Sequence, residues 1–204
     1  MTNNLIDKKY SAIILAAGLS TRMGSPKMLL RYNKHVTFIE QIVKTYHEFG
    51  CENIYIVTNE NTQQLIEKQS LELKNSRLII NKHPEWQKFH SLQLAVATMN
   101  SMNSLQDTFI QNIDNPFVSE QVLALLVENR NEFDYIVPTF NDRGGHPFLA
   151  SKKVLETVLR TADNQTHLKQ FMQQFPSKRI SSNDERIIVN INHREEYQKW
   201  FPDN

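Results

Sequence analysis

Residues 11–27 read SAIILAAGLSTRMGSPK. The opening SAIILA is a β-rich apolar run, typical of a strand buried on both faces of a sheet. The loop that follows contains Gly18, Gly24, Arg22 and Lys27. Glycine lets backbone N–H groups turn toward a ligand, and Arg and Lys side chains bind phosphate oxygens. The stretch predicts a buried strand with a phosphate-binding loop, although an ordinary strand-to-helix turn with surface charges can have the same composition.

The loop differs from the common phosphate-binding motifs. A Walker A loop needs Gly-Lys-Ser/Thr, whereas here Gly24 is followed by Ser-Pro-Lys, and G-x-G-x-x-G is also absent from the stretch. Of the five glycines in the chain, two more, Gly144 and Gly145, lie together in DRGGHPF, which leaves only Gly50 for a routine helix cap. Both glycine-bearing loops follow predicted strands, so we expect them on the same rim of the sheet.

The rest of the chain alternates segments typical of strands and of helices. Apolar runs predict strands at 11–16, 53–58, 77–81, 108–113, 134–140 and 186–191. Helical periodicity predicts helices at 37–49, 61–73, 91–99, 119–130, 151–161, 165–175 and 193–201, the third of them capped by Ser91. This alternation favours an α/β fold with a mostly parallel sheet, helices on both faces and a ligand site beyond the carboxyl ends of the strands.

Length and composition predict one domain over residues 1–204, with a flexible N-terminus at about residues 1–9. The formal net charge of +1 argues against a nucleic-acid partner held by bulk charge. No apolar run approaches the roughly 20 residues of a membrane helix, and MTNNLIDKKY does not resemble a signal peptide. The single cysteine, Cys51, excludes a disulfide within the chain. We therefore expect a cytoplasmic protein with neither nucleic-acid nor membrane partners.

The segment QNIDNPFVS adds a carboxylate to the predicted rim. Asp114 ends a buried strand, and Pro116 stops it. Mg²⁺ is usually bound by one or two carboxylates together with phosphates and water, so Asp114 is a candidate ligand. An Asp near a proline that ends a strand can instead close an Asx turn.

With these features in place, the chain resembles the molybdenum-cofactor nucleotidylyltransferases, in particular the molybdopterin cytidylyltransferase branch. Residues 15–27 match the family signature LAAG-x-S-x-R-M-G-x-P-K throughout. The resemblance continues through HPEW (83–86), SLQLAV (91–96), DNPFVS (114–119) and GGHPFLAS (144–151). It implies a Rossmann-like three-layer nucleotidyltransferase fold and Mg²⁺-dependent transfer of CMP from CTP to the phosphate of a molybdopterin-type cofactor, with release of pyrophosphate. A molybdoenzyme would receive the product.

The resemblance also implies roles for individual residues. The catalytic residues would be Lys27, at the α-phosphate, Arg22 and Asp114. Asp114 would bind Mg²⁺, with Asn192 as the second ligand and Asn190 as the alternative to it. The acceptor would contact Gly144, Gly145 and His146. The nucleotide would be bound by Leu15, Ala16, Ala17, Gly18, Leu19, Ser20, Gly24 and Ser91.

Two features of the match bear on specificity. Ala17 is the third residue of LAAG, where alanine in the resembling family goes with cytidylyl transfer and glycine with guanylyl transfer. Asn192 stands where the family usually has a carboxylate, and an amide is a weaker Mg²⁺ ligand. Two alternatives stay open: another phosphorylated acceptor, such as a sugar phosphate or methylerythritol phosphate, or a non-catalytic chaperone that delivers a cofactor. Trp86 is assigned to the core or to a partner contact.

Overall fold

The computed structural model describes residues 9–69, 71, 73–130, 133–164 and 166–203. The predicted flexible N-terminus therefore lies, except for Lys9, outside the described residues. In the described ranges, eight strands form one sheet of order β3-β2-β1-β4-β7-β5-β6, with β8 also paired to β5. The strands are β1 (Ser11–Leu15), β2 (Asn53–Thr58), β3 (Ser76–Ile80), β4 (Thr108–Asn112), β5 (Tyr135–Phe140), β6 (Arg143–Gly144), β7 (Phe148–Ala150) and β8 (Ser177–Ser181).

The helices cover both faces of this sheet, which confirms the predicted three-layer α/β architecture. They are α1 (Phe38–Glu48), α2 (Glu60–Gln69), α3 (Lys88–Ser101), α4 (Glu120–Glu128), α5 (Lys152–Arg160), α6 (Leu168–Met172) and α7 (Arg194–Trp200). Short 3₁₀ turns occur at Thr21–Met23, Lys27–Leu29 and Glu185–Ile188. Thr37 and Glu40 form the capping box that starts α1, and the Ser119 hydroxyl caps α4. No helix in the described ranges is long and apolar enough to cross a membrane.

The alternation of side chains along β1 builds two cores. Ala12 and Ile14 pack toward α1 and α4, whereas Ile13 and Leu15 pack toward α3 and α5. All five residues of β1 are buried, because helices cover both of its faces. β1 pairs in parallel with β2 on one side and β4 on the other, with Leu15 opposite Val57 and Asn112. The carboxyl ends of these three central strands therefore meet at one edge.

The structure corrects three predictions. Residues 186–191 are not a strand, since Glu185–Ile188 is a 3₁₀ turn and the last strand is β8. α3 begins at Lys88, so Ser91 lies inside the helix rather than at its cap. The short antiparallel strands β6 and β7 were not predicted.

Candidate active site

A cavity of about 370 Å³ opens beyond the carboxyl ends of β1 and β4. Four segments form its wall: the end of β1 with its loop, the segment leading into α3, the residues just after β4, and the residue before the last helix cap. This is the edge where ligands of parallel α/β sheets bind. The lining residues are Leu15, Ala17, Gly18, Leu19, Ser20, Thr21, Arg22, Lys27, Pro84, Trp86, Lys88, Ser91, Ile113, Asp114 and Asn192.

The loop after β1 is curled by two left-handed backbone conformations. Ser20 has a φ of 52° and Gly24 a φ of 70°. The Ser20 hydroxyl accepts a hydrogen bond from the Lys27 N–H at 3.2 Å, which closes the loop on itself. A Cβ on Gly18 would meet nothing within 4 Å, so this glycine faces open space. The loop therefore leaves room beside Gly18 and returns Lys27 to the same cavity.

Lys27 is fixed by a contact from the far end of the chain. Its Nζ donates to Asn192 Oδ1 at 2.7 Å. Burial lowers the pKa of Lys27, the Asp114 carboxylate opposes that shift, and the neighbouring cations Lys88 and Arg22 add to it. The backbone N–H groups of Asn192 and His193 in turn donate to Glu196, in the first turn of α7, which holds this segment in place.

Asp114 faces the same space with one oxygen unsatisfied. Its Oδ2 lies 3.5 Å from Lys88 Nζ, whereas its Oδ1 is buried and makes no hydrogen bond in the described part of the chain. A buried carboxylate oxygen without a partner is costly, which is typical of a position that meets a cation or a polar ligand. The donor chemistry and this unpartnered oxygen fit a hard divalent cation. The described residues contain no cluster of three or more His, Cys, Asp or Glu side chains suited to a metal, so phosphate or water oxygens would complete such a site.

A buried amide network sets the position of Asp114. The Asn115 side chain donates to three backbone carbonyls, those of Arg186, Ile187 and Val189, at 2.7–3.0 Å. The Ile191 N–H donates to the Asp114 carbonyl at 2.7 Å. These bonds join the end of β4 to the segment that carries Asn192. The position of Asp114 is therefore coupled to that of Asn192, which accepts from Lys27.

The wall next to β1 is apolar but is anchored by two asparagines. Asn59 donates to the Ala17 carbonyl at 3.0 Å, and Asn81 donates to the Ser91 hydroxyl at 3.0 Å. Ala17 is 4% exposed, and its methyl packs with Leu15 in the core on the α3 side. Two of the predicted nucleotide-binding residues, Ala17 after β1 and Ser91 in α3, therefore line the same cavity.

Two of the predicted nucleotide-binding residues do not reach the cavity. Ala16 packs on the opposite face of the sheet, because side chains alternate along the strand and its continuation. Gly24 ends the 3₁₀ turn in a left-handed conformation and shapes the loop without lining the cavity. Leu19 lines it and is 55% exposed.

The predicted acceptor loop is held by packing. A Cβ on Gly145 would lie 2.7 Å from the Ile187 carbonyl oxygen, and the His146 N–H donates to that same carbonyl. The Asn112 amide donates to His146 Nε2 at 2.7 Å, and burial lowers the pKa of His146 to about 4. Gly144, Gly145 and His146 are all described, and none of them lines the cavity. Acceptor binding by this loop stays a prediction.

Sequence reasoning missed two cavity residues that come from the turn before α3. Lys88 contacts Asp114, and Trp86 contributes an aromatic wall. HPEW carried no polar pattern that distinguishes a ligand wall from a core aromatic. The available signal was position, since the turn follows a parallel strand at the binding edge of the sheet.

Comparison with known proteins places this geometry in context. The family model described as MobA-like NTP transferase domain matches residues 12–180. A relative from Bacillus cereus (strain B4264), named probable molybdenum cofactor guanylyltransferase, is 29% identical over 198 residues, which cover 93% of this chain and 94% of the relative.

Solved structures share the fold. Rv0371c from Mycobacterium tuberculosis H37Rv is similar with a TM-score of 0.77 and 18% identity, covering 97% of this chain and 100% of that one. Molybdopterin-guanine dinucleotide biosynthesis protein A from Archaeoglobus fulgidus is similar with a TM-score of 0.65 and 14% identity, covering 95% and 97%. At these identities the likeness concerns the fold alone.

Proposed function

The chain belongs to the MobA-like NTP transferase family, and on that premise we propose that it transfers CMP from CTP to the phosphate of a molybdopterin-type cofactor. Nucleotidyl transfer is the chemistry of the family, whereas the base, the acceptor and the metal are parts of the proposal. An oxygen of the acceptor phosphate attacks the α-phosphorus of CTP, a P–O–P bridge forms, and the bond to the β-phosphate breaks. Pyrophosphate leaves with the electron pair of that bond.

The observation that carries the proposal is the meeting of Gly18, Lys27 and Asp114 at one cavity. They come from two parallel strands that are neighbours in the sheet. A phosphate chain needs open backbone, a cation and a carboxylate-bound metal within a few ångströms of one another, and phosphoryl-transfer catalysis is mostly positioning and electrostatic stabilisation. In this reading the open space at Gly18 and the guanidinium of Arg22 receive the β- and γ-phosphates.

Lys27 would act on the α-phosphate. Its contact with Asn192 fixes the direction of the ammonium group before substrate arrives, so little reorganisation is needed during the reaction. Partial burial lowers its pKa but also strengthens its interaction with phosphate charge, because fewer waters screen it. We infer that Lys27 stabilises the negative charge that develops on the phosphate oxygens during attack.

Asp114 would bind Mg²⁺ through its unpartnered Oδ1. Asn192 Oδ1 already accepts from Lys27, but an amide oxygen has a second lone pair, so it can bind the cation as well. When bound, Mg²⁺ supplies charge neutralisation on the phosphate oxygens. The Lys88 ammonium lies 3.5 Å from Oδ2 and balances part of the carboxylate charge.

The base assignment depends on Ala17. Ala17 lines the cavity and packs with Leu15, and we propose that its methyl limits the space beside β1. A pyrimidine is smaller than a purine, so cytosine needs less room beside this wall than guanine does. Polar groups left unpaired by a wrong base cost roughly 1–3 kcal/mol each. We propose that CTP is preferred over GTP on this ground.

Guanylyl transfer is the second candidate, and the name of the Bacillus cereus relative favours it. That relative is 29% identical, and it was matched over nearly its whole length. The two candidates share every residue discussed above except the environment of the base. They therefore differ in one measurable ratio and not in mechanism.

One assay tests the proposal. Pyrophosphate release is measured with CTP, GTP, ATP and UTP in turn, with Mg²⁺ and molybdopterin, and kcat/KM is compared. The proposal expects CTP to exceed GTP by at least about tenfold, which is 1.4 kcal/mol. Preference for GTP would replace cytidylyl by guanylyl transfer.

The same assay addresses the acceptor. Replacing molybdopterin by a sugar phosphate or by methylerythritol phosphate should abolish release, and release with either would reassign the acceptor. Absence of release with every acceptor, combined with thermal stabilisation by nucleotide, would support the cofactor-delivery chaperone instead.

A further inference from the structure

The turn before α3 contributes an aromatic side chain to the cavity wall. Trp86 lines the cavity together with Pro84, and its indole ring is partly exposed. The phosphate-binding and metal-binding parts of the proposed function use Gly18, Lys27 and Asp114, so Trp86 has no role in them. A partly exposed tryptophan in a cavity wall offers an apolar surface of the shape and size of a planar ring.

Two histidine rings pack against that indole. The His83 ring stacks on Trp86 with centroids 4.2 Å apart and planes 11° from parallel. The His90 ring meets it at 65° with centroids 4.7 Å apart. His90 is buried in α3, so the indole rests on a fixed element.

The turn itself is anchored at both ends. Asn81, buried at the end of β3, accepts from the His83 N–H at 2.8 Å and donates to the Ser91 hydroxyl in α3. The Trp86 N–H donates to the His83 carbonyl at 3.0 Å, which closes the turn. The orientation of the indole is therefore set before any ligand binds, which lowers the entropic cost of using it.

We propose that Trp86, backed by His83, is the stacking platform for a planar heteroaromatic ring of the substrates. This inference rests on the proposed function, which supplies two such rings: the nucleobase and the pterin-type ring of the acceptor. Both have a π-face that stacks on indole irrespective of its hydrogen-bonding edge. The platform would contribute affinity for the ring, while the wall at Ala17 would decide which base is accepted.

The test separates binding through the ring from binding through the phosphates. Binding of CTP, GTP, a pterin monophosphate and inorganic tripolyphosphate, each with Mg²⁺, is measured calorimetrically on the full chain and on Trp86→Ala, Trp86→Phe and Trp200→Phe. Tripolyphosphate carries the charges but no ring. Trp200 is the only other tryptophan in the sequence; it packs on Phe117 and does not line this cavity, so Trp200→Phe is the matched control.

For a stacked base, Trp86→Ala should raise the nucleotide Kd by about 5- to 150-fold and leave the tripolyphosphate Kd unchanged. Trp86→Phe should restore most of the affinity, and Trp200→Phe should change neither Kd. If the acceptor ring is the one that stacks, the same change should weaken a pterin monophosphate and spare the nucleotide.

Equal loss for nucleotide and tripolyphosphate, or no loss for any ligand with a ring, would overturn the proposal. If Trp86→Ala fails to fold by circular dichroism, Trp86→Leu and Trp86→Phe are compared instead. Equal affinity of those two variants for the ligands that carry a ring would also overturn the proposal. Failure of the proposed function looks different, because the unaltered protein would then release no pyrophosphate whether or not stacking is observed.

Discussion

Two glycine loops, one after β1 and one between β6 and β7, have the same appearance in the sequence and opposite surroundings in the structure. A Cβ on Gly18 would meet nothing within 4 Å, beside a cavity that also holds Lys27. A Cβ on Gly145 would lie 2.7 Å from the Ile187 backbone oxygen. The first glycine keeps space open, whereas the second allows two segments to pack.

The difference shows what a cluster of glycines indicates by itself. It reports that a side chain is excluded, but the reason can be a ligand or a neighbouring backbone. The cations resolve the ambiguity here, since Arg22 and Lys27 both line the cavity beside Gly18. Arg143 precedes the other pair, yet it does not line this cavity. Substitutions in and around the two loops should therefore separate into losses of activity and losses of stability.

The largest effect is expected at the carboxylate that faces the first loop. Asp114→Asn should lower kcat/KM by about 10³-fold or more, because it removes the charge that would bind the metal. The free energy of unfolding should stay within about 1 kcal/mol, since Oδ1 has no hydrogen-bond partner among the described residues to lose. Steady-state pyrophosphate release and urea unfolding measure the two quantities. Full activity in this variant would move the metal site elsewhere.

Lys27→Ala should come next, with turnover reduced by about 10²- to 10³-fold and a smaller change in the Kd for the nucleotide. The reason is that a fixed cation acts mainly on charge that develops during attack. Lys88→Ala is the matched control, because Lys88 is also a lysine near Asp114 but is more exposed. It should cost less than about tenfold. A variant of Lys27 with normal turnover and weakened binding would limit this residue to holding substrate.

Substitution in the second loop should change the stability of the fold rather than substrate binding. Gly145→Ala should lower the free energy of unfolding by about 1–3 kcal/mol, because the added methyl overlaps a backbone oxygen that cannot rotate away. The KM for the nucleotide should be unchanged. Gly18→Ala should show the reverse pattern, with unchanged stability and a raised KM, because its methyl points into open space. Denaturant unfolding and steady-state kinetics of both variants measure the two effects. A raised KM in Gly145→Ala with unchanged stability would indicate that the second loop binds ligand after all.

The sequence predicted the elements whose physical cause is local. The buried run of β1 and the starts of the helices at residues 37 and 119 depend on a few neighbouring residues, and all three are found. The order of strands along the chain also located the edge of the sheet that carries Lys27 and Asp114.

What the sequence did not predict depends on contacts between distant segments. Asn192 meets Lys27 across 165 positions, and Lys88 meets Asp114 from a different strand–helix connection. β6 and β7 are two and three residues long and exist only because β4 and β5 pair with them. No local periodicity encodes such pairings, so they appear only when the chain is folded.

The smallest effect is expected for base selectivity, which Ala17→Gly tests in the first loop. The wild-type ratio of kcat/KM for CTP over GTP should be at least about tenfold. Removing one methyl from the wall should narrow that ratio toward unity by admitting the purine, and it should leave kcat/KM for CTP within about threefold. The change is bounded, because one methyl in a binding pocket is worth about 1–3 kcal/mol and Asn59 still holds the carbonyl of residue 17. Competition between the two nucleotides in one reaction measures the ratio directly. An unaltered protein that uses both equally would remove the base assignment, while Lys27 and Asp114 would keep their roles in nucleotidyl transfer.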